Sequence, residues 1–173
     1  MGLKILIRPG MRVNFMANTK EQTLIILKPD AIQRGLIGEI LDRFEQKGIR
    51  PVGMKMMKLS ELLLDKHYAQ HKGKHFFEPT KQYMKMLPVV LVVLEGLDVV
   101  KVVRTMCGPT DGRNAPPGTI RGDFSAGISR NIIHSSEDEK AASREIKLYF
   151  KSNEICSYDK PDAHFYYDID RGE

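Results

Sequence analysis

A histidine in a short motif is the clearest candidate for chemistry in this chain. His134 lies within the segment NIIHSS (131–136), directly before three acidic residues at 137–139. A neutral imidazole is a nucleophile near neutral pH and can accept a group in covalent catalysis. The apolar residues before His134 predict a strand, and the acidic run predicts a helix start. A side chain at a strand end can face a ligand, so we expect His134 to be a nucleophile.

Two nearby polar residues could support this histidine. Ser136 and Glu139 match a capping box, which would make Ser136 a helix cap, although a cap can also form a catalytic hydrogen bond. The predicted helix continues to Tyr149 with a buried stripe, and Glu145 borders that stripe. Glu145 is therefore either exposed, as helical glutamates usually are, or a partly buried carboxylate that holds His134 in place.

Cationic side chains elsewhere could bind phosphates. The sequence contains no GxxxxGK[ST] or GxGxxG loop, so phosphate binding would depend on separate side chains. The candidates are Lys28, Arg104, Thr110 and Arg121. A single Lys or Arg is more often a solvated surface charge. Lys28 differs because it closes an apolar strand before Pro-Asp, at a sheet edge where ligands bind.

The elements that position these residues follow from hydrophobic patterning. Strands are predicted at 23–28, 49–59, 88–95 and just before His134, and helices at 32–48, 60–68, after Pro79, at 98–107 and after Ser136. The strand at 88–95 is apolar on both sides, which predicts a central position. A loop is predicted from Gly108 to Gly118. This order predicts an α+β fold, a ferredoxin-like βαββαβ antiparallel four-stranded sheet with additional helices, all on one face.

Six motifs, taken in order, resemble the nucleoside diphosphate kinase family. They are TLIILKPDAIQRGLIGEIL, HY, HFF, VVLEG, PPGTIRGDF and SRNIIHSS, and the likeness extends from Thr23 to Asp168. The resemblance implies a ping-pong kinase: His134 accepts the γ-phosphoryl group of a nucleoside triphosphate, typically ATP, and passes it to a nucleoside diphosphate. Ser136 and Glu145 would orient His134. Mg²⁺ would be bound mainly by the nucleotide phosphates, with no metal ligands assigned to the protein.

The same resemblance implies which residues surround the phosphates. Arg104, Thr110 and Arg121 would hold the β- and γ-phosphates. Lys28 and Tyr68 would lie close to the transferred group. In phosphoryl transfer such residues act mainly by positioning and charge neutralisation.

The nucleoside would be bound less specifically. Lys28 and Asn131 would contact the sugar hydroxyls. Phe76 would stack on the base, with Ile128 on its other face, unless Phe76 turns into the core and Phe77 is exposed. Stacking does not distinguish base edges, so broad base and sugar specificity is expected.

Several positions depart from the family pattern. Ser135 and Ala31 stand where Gly is common, and Phe165 stands where Trp is common. None of these changes removes a predicted catalytic group. Gly112-Arg113 and the terminal segment 169–173 alter regions that bear on assembly. A homo-hexamer is predicted, with a tetramer as the alternative.

Composition limits the class of protein. The 173 residues, 42% hydrophobic and 28% charged, suit one soluble domain without a membrane span. Cys107 and Cys156 form no CxxC pattern, which favours a reducing, cytoplasmic location. Residues 1–20 contain four basic residues and no acidic one, so most of the net charge of +5 lies there. We therefore predict a flexible basic extension at 1–20 and the kinase domain at 21–173.

Three other interpretations are weaker. A catalytically silent relative would be expected to have lost one of its key side chains, such as His134, and all are present. A nucleic-acid binder would need a basic sheet with exposed aromatic residues, whereas the body is nearly neutral. A metal site at His67, His71 and His75 has suitable helical spacing, but Gly73 interrupts that helix.

Overall fold

The computed structural model describes residues 21–158 and Tyr166. Its elements are β1 Glu21–Leu27, α1 Pro29–Gln33, α2 Ile37–Gln46, β2 Arg50–Met57, α3 Glu61–His67, α4 Phe77–Lys85, β3 Val89–Gly96, α5 Val99–Cys107, α6 Ile120–Phe124, β4 Ile133–Ser135 and α7 Glu139–Tyr149. The predicted extension at 1–20, Phe165 and the terminal segment 169–173 lie outside the described residues. Among the described residues, no helix combines the length and apolar character needed to cross a membrane.

The four strands form one antiparallel sheet in the order β2-β3-β1-β4. The predicted α+β sheet and the central position of β3 are both confirmed. The prediction that helices lie on one face is wrong. Buried residues of α2 and α5 pack on one face, whereas Leu64 of α3, Met84 of α4 and Tyr149 of α7 pack on the other. The interior strands are therefore apolar on both sides because both of their faces are covered.

Two local features differ from the sequence prediction. The helix predicted from Ile32 onward is broken, because Gly35 has a φ of 67° and separates α1 from α2. The loop that leads to NIIHSS contains an additional helix, α6. Thr119 begins α6, and its hydroxyl accepts a hydrogen bond from the Gly122 amide at 3.1 Å. This threonine cap is the local signal for α6 that the periodicity did not provide.

Of two other predicted helix starts, one is confirmed and one is shifted by a few residues. Ser60 caps α3 by accepting a hydrogen bond from the Leu63 amide at 3.3 Å. The helix predicted after Pro79 is α4, although it begins slightly earlier, at Phe77. A proline in the first helical turn removes no intrahelical hydrogen bond, so α4 tolerates it.

Pairing of β1 with β4 determines where the candidate residues meet. Ile26 lies opposite His134, and Leu27 lies opposite Ile133. Alternation along β4 places His134 on the sheet face that α7 covers and its two neighbours on the opposite face. His134 is the middle residue of this short strand rather than a residue beyond its end.

Candidate active site

The candidate nucleophile is held by a buried carboxylate. Nε2 of His134 lies 2.9 Å from Oε2 of Glu145, which is only 2% exposed. An ionised carboxylate only accepts hydrogen bonds, so Nε2–H is the donor and Nδ1 carries the lone pair. The predicted Glu145 environment is therefore the partly buried one. The ring is oriented with Nδ1 as the nitrogen not engaged by Glu145.

Ser136 completes this group rather than capping a helix. Its hydroxyl donates to Oε2 of Glu145 at 2.8 Å, and the side chain is fully buried. The capping-box interpretation of Ser136 and Glu139 is wrong, because Asp138 caps α7 and accepts from the Ala141 amide at 2.7 Å. Ser136 continues the strand pairing instead, since its amide donates to a carbonyl of β1 at 3.1 Å.

The electrostatics of Glu145 favour its ionised form. Burial alone would raise its pKa, but the hydrogen bond from His134, electrostatic interaction with His134 and His67, and the hydrogen bond from Ser136 together lower the pKa to about 2. Glu145 is therefore a permanent anion at neutral pH. It can stabilise positive charge that develops on the imidazole ring.

A second chain of contacts joins Lys28 to the loop at Thr110. The Lys28 ammonium donates to Oδ1 of Asn131, and Nδ2 of Asn131 donates to the Thr110 carbonyl at 2.9 Å. Burial, followed by repulsion from Arg121, lowers the pKa of Lys28 to about 8. The structure thus brings Lys28 next to Asn131, which lies 103 positions further along the chain, and Asn131 next to Thr110, which lies 21 positions before it.

Arg121 lies beside the histidine strand. Its guanidinium donates to the Gly108 carbonyl at 2.5 Å and to the Ile133 carbonyl at 2.7 Å. Within the described part of the chain, its buried Nε has no hydrogen-bond partner. Burial lowers the pKa of Arg121, and the nearby charge of Arg104 lowers it further. This concentration of positive charge is suited to an anionic ligand.

Arg104 and Thr110 remain accessible on the surface. Arg104 lines an open cavity of about 940 Å³ together with Gly108, Pro109 and Glu137. Thr110 is exposed, in the loop that follows α5. An exposed arginine and an exposed threonine can contact a ligand from solvent.

Tyr68 reaches the histidine through His67. The His67 ring lies 4.6 Å from the rings of both Tyr68 and His134. Burial, followed by the charge of Glu145, raises the pKa of Tyr68, so its hydroxyl stays protonated as a hydrogen-bond donor. Burial, followed by the His134 charge, lowers the pKa of His67 to about 3, so His67 is neutral.

A support for the active-site strand was not found from the sequence. Ile132, between Asn131 and His134, has a φ of 70°, which is costly for a β-branched residue. Its amide donates to Oδ2 of Asp30 at 3.1 Å, and the Tyr83 hydroxyl donates to the other Asp30 oxygen. Asp30 belongs to the KPD motif, but nothing in the local pattern points to Tyr83.

The two candidate base contacts are exposed apolar side chains. Phe76 is 37% exposed and Ile128 is 54% exposed, whereas Phe77 is buried. The alternative that Phe76 turns into the core is therefore wrong. Rings of His71 and His75 pack edge-on against Phe76, each at 5.4 Å. An accessible ring of this kind can stack on a planar ligand.

Together these groups define a histidine centre for group transfer to and from an anion. The imidazole has Nε2 anchored by Glu145, and the cationic side chains of Lys28 and Arg121 contact Asn131 and the Ile133 carbonyl of the same segment. Such a centre is suited to phosphoryl transfer, in which positioning and charge neutralisation provide most of the catalysis.

Comparisons with known proteins identify the family. The sequence model of the nucleoside diphosphate kinase family matches residues 21–155. The chain is 51% identical over 152 residues to a nucleoside diphosphate kinase of Pyrococcus abyssi, covering 86% of this chain and 96% of that protein. It is 54% identical over 140 residues to one from Desulfitobacterium hafniense, covering 81% and 94%. The chain therefore belongs to the nucleoside diphosphate kinase family.

Solved structures agree with this assignment. A halophilic nucleoside diphosphate kinase from Halobacterium salinarum, in complex with CDP, superposes with a TM-score of 0.84 at 42% identity, covering 86% of this chain and 99% of that one. A transition-state mimic of the Borrelia burgdorferi enzyme, with bound vanadate and ADP, gives a TM-score of 0.79 at 38% identity, covering 86% and 98%.

Proposed function

We propose that this chain is a nucleoside diphosphate kinase that works by a ping-pong mechanism through phosphorylated His134. The observation that carries the proposal is the hydrogen bond from Nε2 of His134 to the buried carboxylate of Glu145. This contact fixes the tautomer and presents Nδ1 as the nucleophile. Ser136 holds the carboxylate in turn.

In the first half-reaction, Nδ1 of His134 attacks the γ-phosphorus of a nucleoside triphosphate. The N–P bond forms while the bond from the γ-phosphorus to the bridging oxygen breaks, and that oxygen leaves with the electron pair on the nucleoside diphosphate. Glu145 stabilises the positive charge on the phosphorylated ring. In the second half-reaction, a terminal phosphate oxygen of another nucleoside diphosphate attacks the phosphohistidine and restores the neutral imidazole.

The phosphates are bound by side chains from four parts of the chain. Lys28 and Tyr68 contact the transferred group, and Arg104, Thr110 and Arg121 hold the phosphates on either side of the bridging oxygen. The lowered pKa of Lys28 places its titration near pH 8, so bound phosphate favours its charged form.

The residues of this site fit a Mg²⁺ ion that binds together with the nucleotide. The side chains proposed for the phosphates are cationic or neutral, and Glu145 is already bonded to His134 and Ser136. Mg²⁺ prefers oxygen ligands and is commonly bound through substrate phosphates. Phosphate oxygens would therefore supply its ligands, and the bound ion would neutralise phosphate charge.

The nucleoside is bound without readout of the base edge. Phe76 and Ile128 are accessible apolar side chains that contact the base, and Lys28 and Asn131 contact the sugar hydroxyls. Purine and pyrimidine bases, and ribose and deoxyribose, are accepted for this reason.

Assembly and location extend the proposal. Strand β2 lies at a sheet edge and exposes Met54 and Met56, at 51% and 56%, which a second subunit can cover. We expect native mass spectrometry to show a homo-hexamer. A tetramer is the alternative assembly. The thiols of Cys107 and Cys156 are both free, which supports a cytoplasmic location.

The decisive experiment is to incubate the protein with γ-labelled ATP and Mg²⁺ in the absence of acceptor. We expect one acid-labile, alkali-stable label per chain that added GDP discharges. His134→Gln, which keeps a polar side chain of similar length, should fold and bind nucleotide but accept no label. Full turnover by His134→Gln would overturn the mechanism. Bound nucleotide without any label in the native protein would instead indicate a silent binding module.

A further inference from the structure

His134 and two neighbouring side chains bring potential metal-ligand atoms close together. One ring nitrogen each from His67 and His134 and one carboxylate oxygen of Glu145 all lie within 4.8 Å of one another. His67 is 2% exposed, and its buried Nδ1 has no hydrogen-bond partner in the described part of the chain. A buried polar atom without a partner is unfavourable, so this nitrogen is suited to binding a ligand.

We propose that His67, His134 and Glu145 form a binding site for a divalent transition-metal ion such as Zn²⁺. Two imidazoles and one carboxylate are a common ligand set for zinc, leaving a fourth position for water. Mg²⁺ prefers oxygen ligands, so nitrogen donors favour a transition metal over the ion that accompanies the nucleotide.

The geometry requires only a small adjustment. Bonds of about 2.1 Å in a tetrahedral site place neighbouring ligand atoms roughly 3.4 Å apart. Nε2 of His134 and Oε2 of Glu145, now 2.9 Å apart, must therefore open by about 0.5 Å, and the longest separation, at most 4.8 Å, must shorten by about 1.4 Å. Rotation of the His67 ring can provide this movement, because no hydrogen bond holds its Nδ1.

A neighbouring hydrogen bond and partial exposure also suit the site to an ion. Ser136 donates to Glu145 at 2.8 Å and so provides an outer hydrogen bond that steadies one ligand. Partial exposure of the His134 side chain, at 20%, gives the ion a route from solvent.

Ion binding at this site would oppose phosphoryl transfer. An ion on Nε2 of His134 displaces the hydrogen bond to Glu145, and the proton of the neutral ring then resides on Nδ1, which no longer offers a lone pair to the phosphorus. We therefore expect Zn²⁺ to inhibit formation of phosphohistidine. Inhibition rests on the proposed function, whereas ion binding does not.

Binding can be tested with Co²⁺ alone, without nucleotide, by visible absorption of the full-length protein. We expect one equivalent of Co²⁺ to give d–d bands that Zn²⁺ abolishes. His67→Phe keeps an aromatic ring against Tyr68 and Tyr149 but removes both nitrogens, and it should bind Co²⁺ at least tenfold more weakly. His75→Gln alters an exposed histidine outside the cluster and should bind normally. A thermal melt checks folding, and His67→Gln replaces His67→Phe if that variant does not fold.

The outcomes separate the site from the reaction. No d–d bands in the native protein, or equal bands in the native protein and His67→Phe, would overturn the proposal. Loss of the bands in His75→Gln would also overturn it, by locating the ion on the surface. Prior addition of Zn²⁺ should slow labelling of the native protein by Mg-ATP at least tenfold and leave His67→Phe unaffected. Bound Co²⁺ in a zinc-free protein that accepts no label would support the metal site and contradict the proposed kinase.

Discussion

The histidine side of the site and the nucleoside side are built in different ways. Glu145 and Ser136 are buried, and each makes a hydrogen bond that fixes the next group. Phe76 and Ile128, at 37% and 54% exposed, offer only accessible apolar surface. Under the proposed mechanism, the geometry is rigid where one bond forms in every cycle and permissive where substrates vary.

The largest effect on phosphoryl transfer is expected from a substitution of Glu145 on the histidine side of the site. Glu145→Gln preserves the shape of the side chain but removes the charge that stabilises the phosphorylated ring. We expect phosphohistidine formation to slow about 10- to 100-fold, with nucleotide affinity unchanged. Rapid-quench labelling measures the rate. Glu139→Gln, an exposed carboxylate on the same helix, is the matched control, and equal slowing by both variants would contradict the role assigned to Glu145.

A smaller loss is expected when the support beneath the histidine strand is removed. Asp30→Ala leaves the Ile132 amide and the Tyr83 hydroxyl without their acceptor. We expect unfolding free energy to fall by about 1–3 kcal/mol and kcat by about tenfold. Chemical denaturation and steady-state kinetics measure the two quantities. Tyr83→Phe removes one of the two contacts and should show a smaller effect of the same sign. Native kcat in Asp30→Ala would mean that Ile132 keeps its conformation unaided.

The pH dependence of nucleotide binding tests the cationic part of the rigid side. Because the pKa of Lys28 is lowered to about 8, its charge is present below that pH and is lost above it. Nucleotide affinity should therefore fall several-fold between pH 7 and 9, and binding above pH 8 should take up a proton. Calorimetry in buffers of different ionisation enthalpy measures both effects. Lys28→Arg keeps its charge over this range, so a pH profile as steep as that of the native protein would contradict the assignment.

The smallest effect is expected from a substitution of Phe76 on the nucleoside side of the site. Phe76→Leu keeps apolar contact but loses the aromatic face, so KM should rise about threefold for every nucleoside diphosphate alike. Steady-state kinetics with ADP, GDP, CDP and UDP measure this uniformity. Phe77→Leu alters the buried neighbour and should lower the melting temperature without changing KM. A loss confined to one base would show that Phe76 contributes to base selection.

Local patterns predicted much of the fold. The apolar run of β3 indicated a central strand, and Ser60 indicated a helix start. The face on which each helix packs was not predictable, because periodicity shows which stripe is buried but not which surface buries it. The break at Gly35 was missed because apolar spacing continues across it.

For the candidate site, too, some contacts could be predicted from the sequence and others could not. His134 and Glu145 lie on neighbouring elements, so their meeting followed from a strand, a short turn and a helix stripe. Asp30 and Ile132 lie 102 residues apart, and no local pattern encodes their contact. The pairing of His67 with His134 was missed for the same reason, because the two residues lie 67 positions apart on separate elements.

The pairing of β1 with β4 has a consequence for the order of folding. Lys28 and Asn131 are 103 residues apart, and Leu24 and Ser136 are 112 apart, so the site closes only when both ends of the domain have been synthesised. Contacts of such long sequence separation form slowly because their loop entropy is lost first. We expect phosphoryl acceptance to recover after helical circular dichroism during refolding, which would make the labelled histidine a marker of the last native contacts to form.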